Sequence, residues 1–408
     1  MRIPFLLSLF FAGCVLQMPA YPENGRRELT PGPPESIGLD PSRLRRIDGA
    51  VRASIKAGDI PGAVVLVARH GRIAYLQAFG NRSLKPRIES MTTDTIFDMS
   101  SLTKVMATLP VILMLAEEGA VRLDARVQRY LPNFTGGGKD GVTLRHLLTH
   151  YSGLPADFDL SKPWSGYTEA LAELWRTKAL SEPGKAFVYS DLNFIALGEI
   201  VRAVTGKTLD VCARERVFQP LGMTDTFFCP PAGLAGRIAP TESRKNTLRY
   251  LKGKEALESP DRILRGEVHD PTAWRMGGVA GHAGLFSSAR DLAVYAQMLL
   301  DQGAGPGGRL LSPLTVRAMT SPQSPPGAPQ VRGFGWDIES AYSSPRGDIF
   351  KEGYGHTGFT GTSLWVHPPT DMCVILLSNR VHPDGGKDIN DLRAAIANIA
   401  ASAVSDSK

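Results

Sequence analysis

The chain has 408 residues, of which 43% are hydrophobic and 21% are charged, a balance typical of a globular protein rather than a disordered or fibrous one. Its formal net charge of +6 comes from residues scattered along the sequence, which argues against a nucleic-acid-binding surface. A chain of this length accommodates one large composite domain or two smaller ones.

The N-terminus has the pattern of a bacterial export signal. Arg2 precedes an apolar stretch from Phe5 to Ala12 that is too short to cross a bilayer. Residues 1–20 are therefore predicted to be a signal peptide that is cleaved after Ala20. The sequence Phe-Ala-Gly-Cys, ending at Cys14, is similar to a lipoprotein signal and leaves a second route open, in which Cys14 carries a lipid. Both routes predict a periplasmic or secreted protein, attached to a membrane only through such an anchor.

Cysteines and histidines are too dispersed to predict a metal site. Outside the signal, Cys212, Cys229 and Cys373 remain; export would permit a Cys212–Cys229 disulfide, but buried free thiols are the simpler expectation. His146 and His150 have the i, i+4 spacing of a zinc helix, but the glutamate that a zinc peptidase needs next to the first histidine is missing. Neither a metal nor another cofactor is predicted, because no glycine-rich phosphate loop follows a strand either.

The first elements after the signal alternate between helix and strand. Asp40-Pro41 supplies an N-cap and a first-turn proline, and the apolar residues that follow repeat at helical spacing. Two apolar runs, 63–68 and 73–79, are separated by His-Gly and predict a hairpin. A third run, 105–115, predicts a helix that Pro110 distorts locally.

Farther along the chain, helical patterns come before strand patterns. Helices are predicted at 168–177, 192–204, 209–218 and 289–302, and then strands at 333–338, 362–367 and 372–378 before a last helix at about 389–403. Strands at both ends predict an α+β fold, in which one antiparallel sheet is formed from both chain ends and flanked by helices. Residues 36–402 are then one composite catalytic domain, with an α/β part at about 36–120 and 331–402 and a mostly helical insertion at about 121–330.

Ser101 and Lys104 are the chemically most informative pair. They lie three residues apart at the start of a helix, so both side chains project from one face. A nearby lysine can accept the proton of a serine hydroxyl when it is partly desolvated, and the helix start favours a developing oxyanion. A bare Ser-x-x-Lys also arises by chance at exposed helix starts, so its context has to decide.

Two further motifs provide this context. Tyr189-Ser190-Asp191 stands between a Pro-Gly turn and a helix, and His356-Thr357-Gly358 precedes an apolar strand. The three motifs, in this order, resemble those of class C serine β-lactamases and of the related penicillin-binding proteins and esterases, which carry Tyr-x-Asn and then Lys-Thr-Gly or His-Thr-Gly on an edge strand. The resemblance extends over roughly residues 37–400 and implies a β-lactamase-like fold. It includes residues 145–154, 220–223, 281–287 and 378–380.

These motifs assign a role to each catalytic residue. Ser101 attacks a carbonyl carbon and forms an acyl-enzyme, while Lys104 and the phenol of Tyr189 handle its proton. The resemblance implies an oxyanion hole formed by the backbone N–H groups of Ser101 and Phe359. Asp191 replaces the usual asparagine; its carboxylate favours the charged form of Lys104 and shifts proton acceptance towards Tyr189.

Substrate choice depends on the histidine of the third motif. A histidine is mostly neutral at pH 7, so His356 should hold a substrate carboxylate less well than the lysine it replaces. Penicillins and D-Ala-terminated peptides carry such a carboxylate and simple esters do not. His269 and His282 are further candidates for the cleft wall, although turn chemistry and helix capping explain them equally well. The residues expected to contact substrate are Asp191, His356, Thr357, Gly358, His269 and His282.

The sequence therefore predicts an exported serine hydrolase that cleaves a small ester or amide through an acyl-enzyme on Ser101, with esterase-like activity favoured. A peptidoglycan D-Ala-D-Ala carboxypeptidase or a weak β-lactamase is the alternative among enzymes. A penicillin-binding sensory module, acylated without turnover, is the alternative outside them. An α/β-hydrolase is excluded, because the chain has no Gly-x-Ser-x-Gly pentapeptide.

Overall fold

The computed structural model describes residues 29–247 and 262–405. The predicted signal peptide, residues 1–20 with Cys14, lies outside the described residues, so its processing stays a prediction. Within the described part of the chain, each helix is too short or too polar to span a bilayer.

Strands and helices are numbered in chain order. The strands are β1 (Thr30–Pro31), β2 (Gly62–Arg69), β3 (Arg72–Ser83), β4 (Glu89–Ser90), β5 (Ile96–Asp98), β6 (Phe227–Phe228), β7 (Leu285–Ser288), β8 (Ala304–Gly305), β9 (Gly308–Arg309), β10 (Val331–Arg332), β11 (Asp337–Glu339), β12 (Tyr354–Thr357), β13 (Ser363–His367) and β14 (Met372–Ser378). The α-helices are α1 (Pro41–Leu44), α2 (Arg46–Lys56), α3 (Leu109–Glu117), α4 (Leu144–Thr149), α5 (Tyr167–Arg176), α6 (Asp191–Thr205), α7 (Leu209–Ala213), α8 (Gln219–Leu221), α9 (Arg244–Thr247), α10 (Pro271–Arg275), α11 (Ala289–Leu300), α12 (Pro313–Thr320) and α13 (Asn390–Ser402). The π-helical segments are Lys104–Thr108 and Arg214–Phe218.

The main sheet joins strands from both ends of the chain. Among the described residues its order is β1-β3-β2-β14-β13-β12-β11-β10, with β4 also paired to β3. The pair β1–β3 is parallel and the other pairs are antiparallel. β14 pairs with β2 from Met372 opposite Arg69 to Ser378 opposite Ala63, which joins the two chain ends directly. The predicted α+β class, with a sheet formed from both ends, is confirmed.

Both faces of this sheet are buried at its central strands β2 and β14. Val64 and Leu66 of β2 face the larger apolar core beneath the helical region, whereas Val65 and Val67 face a second core shared with α2 and α13. Successive side chains of a strand point to opposite faces, so a strand covered on both sides needs apolar residues at every position. This is why β2 and β14 are visible in the sequence as unbroken apolar runs.

A smaller sheet connects the helical region to the segment before Ser101. Its order among the described residues is β5-β7-β6, and β7 pairs with β5 from Ile96 opposite Ser288 to Asp98 opposite Phe286. The mostly helical part of the chain therefore holds the backbone three residues before the predicted nucleophile.

The helix that follows Ser101 begins as a wide π-turn. Pro110 has no N–H to donate and its ring would clash with the carbonyl four residues earlier. Residues Lys104–Thr108 form a π-helix instead, in which the N–H of Leu109 bonds to the carbonyl of Lys104. The predicted distortion near Pro110 is confirmed. It includes Lys104 itself, which agrees with the frequent occurrence of π-turns at functional sites.

Three predictions need correction. The single strand expected at 333–338 is split into β10 and β11, because Gly335 has a φ of 72° and the N–H of Gly333 bonds to the carbonyl of Trp336. The alternative of a Cys212–Cys229 disulfide is wrong, since both thiols are free. The expected burial holds for Cys212 and fails for Cys229, which is exposed.

Candidate active site

Ser101 lies in the turn between β5 and the π-helix. The N–H of Met99 donates to the carbonyl of Leu285 at 2.8 Å, and the N–H of Leu285 donates to the Thr103 hydroxyl at 3.1 Å. These bonds fasten both sides of the turn to β7. The serine is thus held on a fixed backbone, which catalysis by a positioned nucleophile requires.

Ser100, next to the nucleophile, has a left-handed φ of 48°. Such a conformation costs a residue other than glycine about 1–2 kcal/mol, and the surrounding bonds hold it. The Ser100 N–H donates to the Asp98 carboxylate at 2.8 Å, and the Ser100 hydroxyl accepts from the N–H of Phe359 at 3.2 Å. The Phe359 N–H, expected to be an oxyanion-hole donor, therefore bonds to Ser100 in the free protein.

Lys104 is buried and points back at the nucleophile. Its Nζ donates to Ser101 Oγ at 3.0 Å and to the carbonyl of His282 at 3.1 Å, and lies 2.6 Å from Asp191 Oδ1. Burial would lower the pKa of this amine, but the charge of Asp191 and the hydrogen bonds to Asp191 and Tyr189 outweigh it and hold the pKa above its ordinary value. Lys104 is accordingly an ammonium in the free protein.

Tyr189 stands between this ammonium and the third motif. Its ring centroid is 5.1 Å from Lys104 Nζ, and its hydroxyl oxygen is 3.5 Å from His356 Nε2. The ring of His150 stacks on it at 4.5 Å, and His150 Nδ1 accepts the N–H of Ser190 at 3.1 Å. His150, which the sequence assigned to helix packing, therefore orients the tyrosine.

His356 lies on β12, between β13 and the short β11 near one end of the sheet. Its Nδ1 is 2.8 Å from the Thr357 carbonyl, so Nδ1 carries the hydrogen and Nε2 is an acceptor towards Tyr189. Burial, and then the charges of Arg332 and Lys104, lower the pKa of His356 well below its ordinary value. The side chain is neutral.

Gly358 brings this strand close to the nucleophile turn. A Cβ on Gly358 would lie 2.1 Å from Thr362 Oγ1 and 2.5 Å from the carbonyl oxygen of Met99. A side chain at this position would push the strand away from Ser101, so the close approach of the third motif depends on glycine.

A cavity of about 180 Å³ opens beside Ser101. It is lined by Ser101, Tyr189, Arg332, Asp337, Tyr342, His356, Thr357 and Phe359. The structure thus brings the three sequence motifs together around one space. Asp191 is not one of these lining residues and lies beside Lys104.

Sequence reasoning missed three residues of this cavity, Arg332, Asp337 and Tyr342, of which Arg332 carries the positive charge. Its side chain is 1% exposed; Nη2 donates to the carbonyl of Gly335 at 2.7 Å and Nη1 lies 3.4 Å from Asp337 Oδ1. Its Nε has no hydrogen-bond partner among the described residues. An arginine in a short strand pattern does not by itself indicate a buried cavity residue, because arginines on exposed strands occur in the same sequence pattern.

The family model "Beta-lactamase" matches residues 47–398. The chain belongs to the beta-lactamase family. A protein of Escherichia coli (strain K12) named "Putative D-alanyl-D-alanine carboxypeptidase" is 32% identical to it over 408 residues, covering 93% of this chain and 91% of that protein. These matches make this chain a serine hydrolase with a β-lactamase-like fold.

Two solved structures show the fold of this family. "A class C beta-lactamase" has a TM-score of 0.70 at 19% identity, covering 90% of this chain and 98% of that one. "Crystal structure of a family VIII carboxylesterase" has a TM-score of 0.67 at 23% identity, covering 90% and 99%. At these identities the likeness concerns the fold alone.

In this beta-lactamase family member, the two histidines predicted for the cleft wall lie behind the cavity. His269 is buried, with Nε2 at 2.7 Å from Glu242 Oε1 and its ring stacked on Phe359. His282 is buried as well, with Nε2 at 2.9 Å from Asp270 Oδ1. The contacts of His269 support the cavity wall, and those of His282 support the Lys104 side of the site.

Asp191, Asp270 and His282 each bring one potential metal-ligand atom within 4.8 Å of the others. A divalent cation prefers carboxylate oxygens, but the Lys104 ammonium already lies 2.6 Å from Asp191 and His282 already bonds to Asp270. The group balances its charges internally and has the character of an ion-pair chain rather than a metal centre.

Proposed function

We propose that this serine hydrolase acts as a carboxypeptidase on short peptides, releasing an amino acid whose free carboxylate binds Arg332. The acyl part of the peptide is transferred to Ser101 and then to water. The observation that carries the proposal is the buried guanidinium in the wall of the Ser101 cavity, with an unpartnered Nε.

The charge distribution of the cavity supports this substrate class. The Asp337 carboxylate is only partly engaged with Arg332, because it also accepts hydrogen bonds from the hydroxyls of Ser340 and Ser343. An unmade hydrogen bond of a buried donor costs about 1–3 kcal/mol, and a substrate carboxylate would recover it. The neutral His356 alone favours an uncharged ester, whereas Arg332 adds a positive charge to the cavity wall that a carboxylate can use. The name of the Escherichia coli relative points in the same direction.

Proton transfer follows from the contacts of the three catalytic groups. The Lys104–Tyr189 pair can accept the Ser101 proton only when it has lost one proton itself. Asp191 favours keeping the remaining proton on Lys104. Tyr189 then takes the proton from Ser101 and returns it to the leaving nitrogen, while Lys104 stabilises the phenolate. In this scheme Ser101 is the nucleophile and Tyr189 the acid–base group.

Simple ester hydrolysis is a second candidate function. Two observations favour it: His356 is neutral, and the Phe359 side chain at the cavity is 50% exposed, offering an apolar surface to an acyl or alcohol group. An ester without a carboxylate would not use Arg332, so the two candidates differ in a measurable way.

The experiment compares three substrates: an N-acyl-D-Ala-D-Ala peptide, its C-terminal amide, and p-nitrophenyl acetate. We expect the free acid to exceed the amide in kcat/KM by about tenfold or more, because a hydrogen bond to a charged group contributes ~1.5–3 kcal/mol. Equal rates for acid and amide would contradict the carboxypeptidase. Turnover of the ester alone would favour the esterase, and a single burst with a stable acyl-enzyme would favour a sensory module.

We also propose that the protein is exported through residues 1–20. Intact-mass measurement of the protein isolated from its native host tests this directly. A mature chain that begins after Ala20 supports a cleaved signal, a lipid mass on Cys14 supports the anchored form, and an intact Met1 in the cytoplasmic fraction would contradict both.

A further inference from the structure

A histidine–aspartate pair adjoins Lys104. The His282 side chain is 1% exposed, and its Nε2 is 2.9 Å from Oδ1 of Asp270. The same Asp270 oxygen caps α10 by accepting the N–H of Ala273 at 2.8 Å, which fixes the carboxylate in place. The main-chain carbonyl of His282 accepts a hydrogen bond from Lys104 Nζ at 3.1 Å. His282 therefore adjoins the ammonium through its backbone and Asp270 through its ring.

This pair and the Lys104–Asp191 pair form one continuous chain of alternating charges. Oxygens of Asp191 and Asp270 and a ring nitrogen of His282 all lie within 4.8 Å of one another, and Asp191 Oδ1 is 2.6 Å from Lys104 Nζ. A carboxylate held that close to a buried ammonium stabilises it strongly in a low-dielectric environment. A second cation beside the same carboxylate weakens this hold.

We propose that His282 is a positioning residue whose imidazolium, paired with Asp270, shares the charge of Asp191 and limits how tightly that carboxylate holds the Lys104 ammonium. Because Asp191 stands where related motifs have a neutral asparagine, its charge would otherwise act on Lys104 alone. The inference rests on the proposed acyl-enzyme chemistry at Ser101 and deepens it. It explains how a carboxylate can occupy this position in a working site.

The electrostatics of the surrounding groups agree with this arrangement. Burial would lower the pKa of His282, but the charges of Asp270 and then Asp191 outweigh it and raise the pKa above its ordinary value. Burial would likewise raise the pKa of Asp270, but the charge of His282 lowers it. Asp157 also faces this group; burial and then the charges of Asp191 and Asp270 raise its pKa above its ordinary value.

The ring of His282 is not needed to hold its loop. A Cβ on Gly281 would lie 1.9 Å from the carbonyl oxygen of Phe194, and the Thr108 hydroxyl donates to the Gly281 carbonyl at 2.6 Å. These backbone contacts seat the loop against α6 and the π-helix. A substitution at His282 thus changes the charge of the site while the loop keeps its main anchors.

The test measures the rate of Ser101 acylation by p-nitrophenyl acetate against pH for the wild-type protein and His282→Gln. Removing a cation raises the pKa at which the adjacent Lys104–Tyr189 pair loses the one proton that it must lose before it can accept the Ser101 proton. We therefore expect the acidic limb of the profile to move up by about one pH unit, a loss of about tenfold on that limb, with the high-pH plateau retained. A lower plateau with an unmoved limb would show a merely structural role and overturn the proposal.

The Asp191→Asn background provides the matched control. If His282 acts through Asp191, the shift caused by His282→Gln falls by more than half when Asp191 is already neutral. An equal shift in both backgrounds would overturn the proposal. Asp157→Asn should leave the shift intact, since Asp157 bonds to Thr272 rather than to His282; loss of the shift in that variant would also count against it.

A second measurement does not depend on activity or on the fold of a variant. The NMR signals of the His282 ring in the wild-type protein should show a protonated imidazole at pH 7, and a neutral ring there would overturn the proposal. If the wild-type protein is not acylated at Ser101 by any ester or peptide, the proposed function fails. If acylation is normal and the limb does not move, this inference alone fails.

Discussion

The two sides of the Ser101 site carry their charges differently. On the Lys104 side, four charged groups alternate in sign: Lys104, Asp191, His282 and Asp270. On the β12 side, His356 is neutral, and the charge of the cavity wall comes from the guanidinium of Arg332, loosely paired with a carboxylate. The first side contacts the nucleophile and the second lines the cavity.

The Lys104 side of the site serves the reaction, and the side with Arg332 serves substrate recognition. Charges that contact the nucleophile must be balanced, because an excess of either sign would fix the proton on one group and stop its transfer. A charge that selects a substrate must instead remain partly unsatisfied, because only an unmade hydrogen bond can be completed by a ligand. On the cavity side, the Nε of Arg332 has no hydrogen-bond partner among the described residues, so a ligand can complete its bonding.

The largest expected effect is at the nucleophile. Ser101→Ala should reduce hydrolysis of every substrate by at least about 1,000-fold, because no acyl-enzyme can form. Intact-mass spectrometry after exposure to p-nitrophenyl acetate should show no acyl adduct. Ser100→Ala is the matched control, since it removes a neighbouring hydroxyl and should still give the adduct. An adduct on the Ser101→Ala variant would contradict the assignment of the nucleophile.

Tyr189→Phe should have the next largest effect. The phenyl ring can keep its stacking on His150, so the substitution removes mainly the hydroxyl between Lys104 and His356. General acid–base groups typically contribute about 100- to 10,000-fold, and we expect a loss in kcat of this size with little change in thermal stability. Steady-state kinetics with circular-dichroism melting checks both. Retained activity would transfer the acid–base role to Lys104 alone.

How much of this site is visible in the sequence depends on whether a residue acts within a local pattern. Ser101, Lys104, Tyr189 and His356 belong to short ordered motifs, and β2 and β14 are apolar runs long enough to predict a sheet from both chain ends. Their three-dimensional proximity follows once that sheet forms. The sequence also anticipated the carboxylate beside Lys104, because Asp191 is two residues from Tyr189 and begins the next helix.

Arg332 and the ring of His282 depend on long-range contacts that no local pattern encodes. Arg332 enters the cavity because Gly335 turns the chain between β10 and β11, and a strand was expected there. His282 was expected at the cleft wall, but Gly281 seats its loop on α6, so the ring pairs with Asp270 behind the wall. Both outcomes are set by backbone packing between distant segments.

Arg332→Gln tests the recognition side with a smaller expected effect. It should reduce the preference for a free C-terminal carboxylate over its amide by about tenfold to a hundredfold, because a hydrogen bond to a charged group contributes ~1.5–3 kcal/mol. Rates with p-nitrophenyl acetate should stay nearly constant. Arg332→Lys, which keeps the charge but loses Nε, should fall in between. An unchanged acid-to-amide ratio would remove Arg332 from substrate recognition.

The smallest expected effect concerns the pH dependence of that ratio. The folded-state pKa of His356 is well below its ordinary value, because of burial and the nearby charges of Arg332 and Lys104. Protonation would add a positive charge to the cavity and raise the preference for a carboxylate as pH falls through the ordinary histidine range near ~6.5. Since His356 stays neutral there, the acid-to-amide ratio of kcat/KM should be flat between about pH 8 and pH 5.5. A rise of the ratio centred near neutral pH would show that His356 titrates, and recognition would then belong to His356 and Arg332 together.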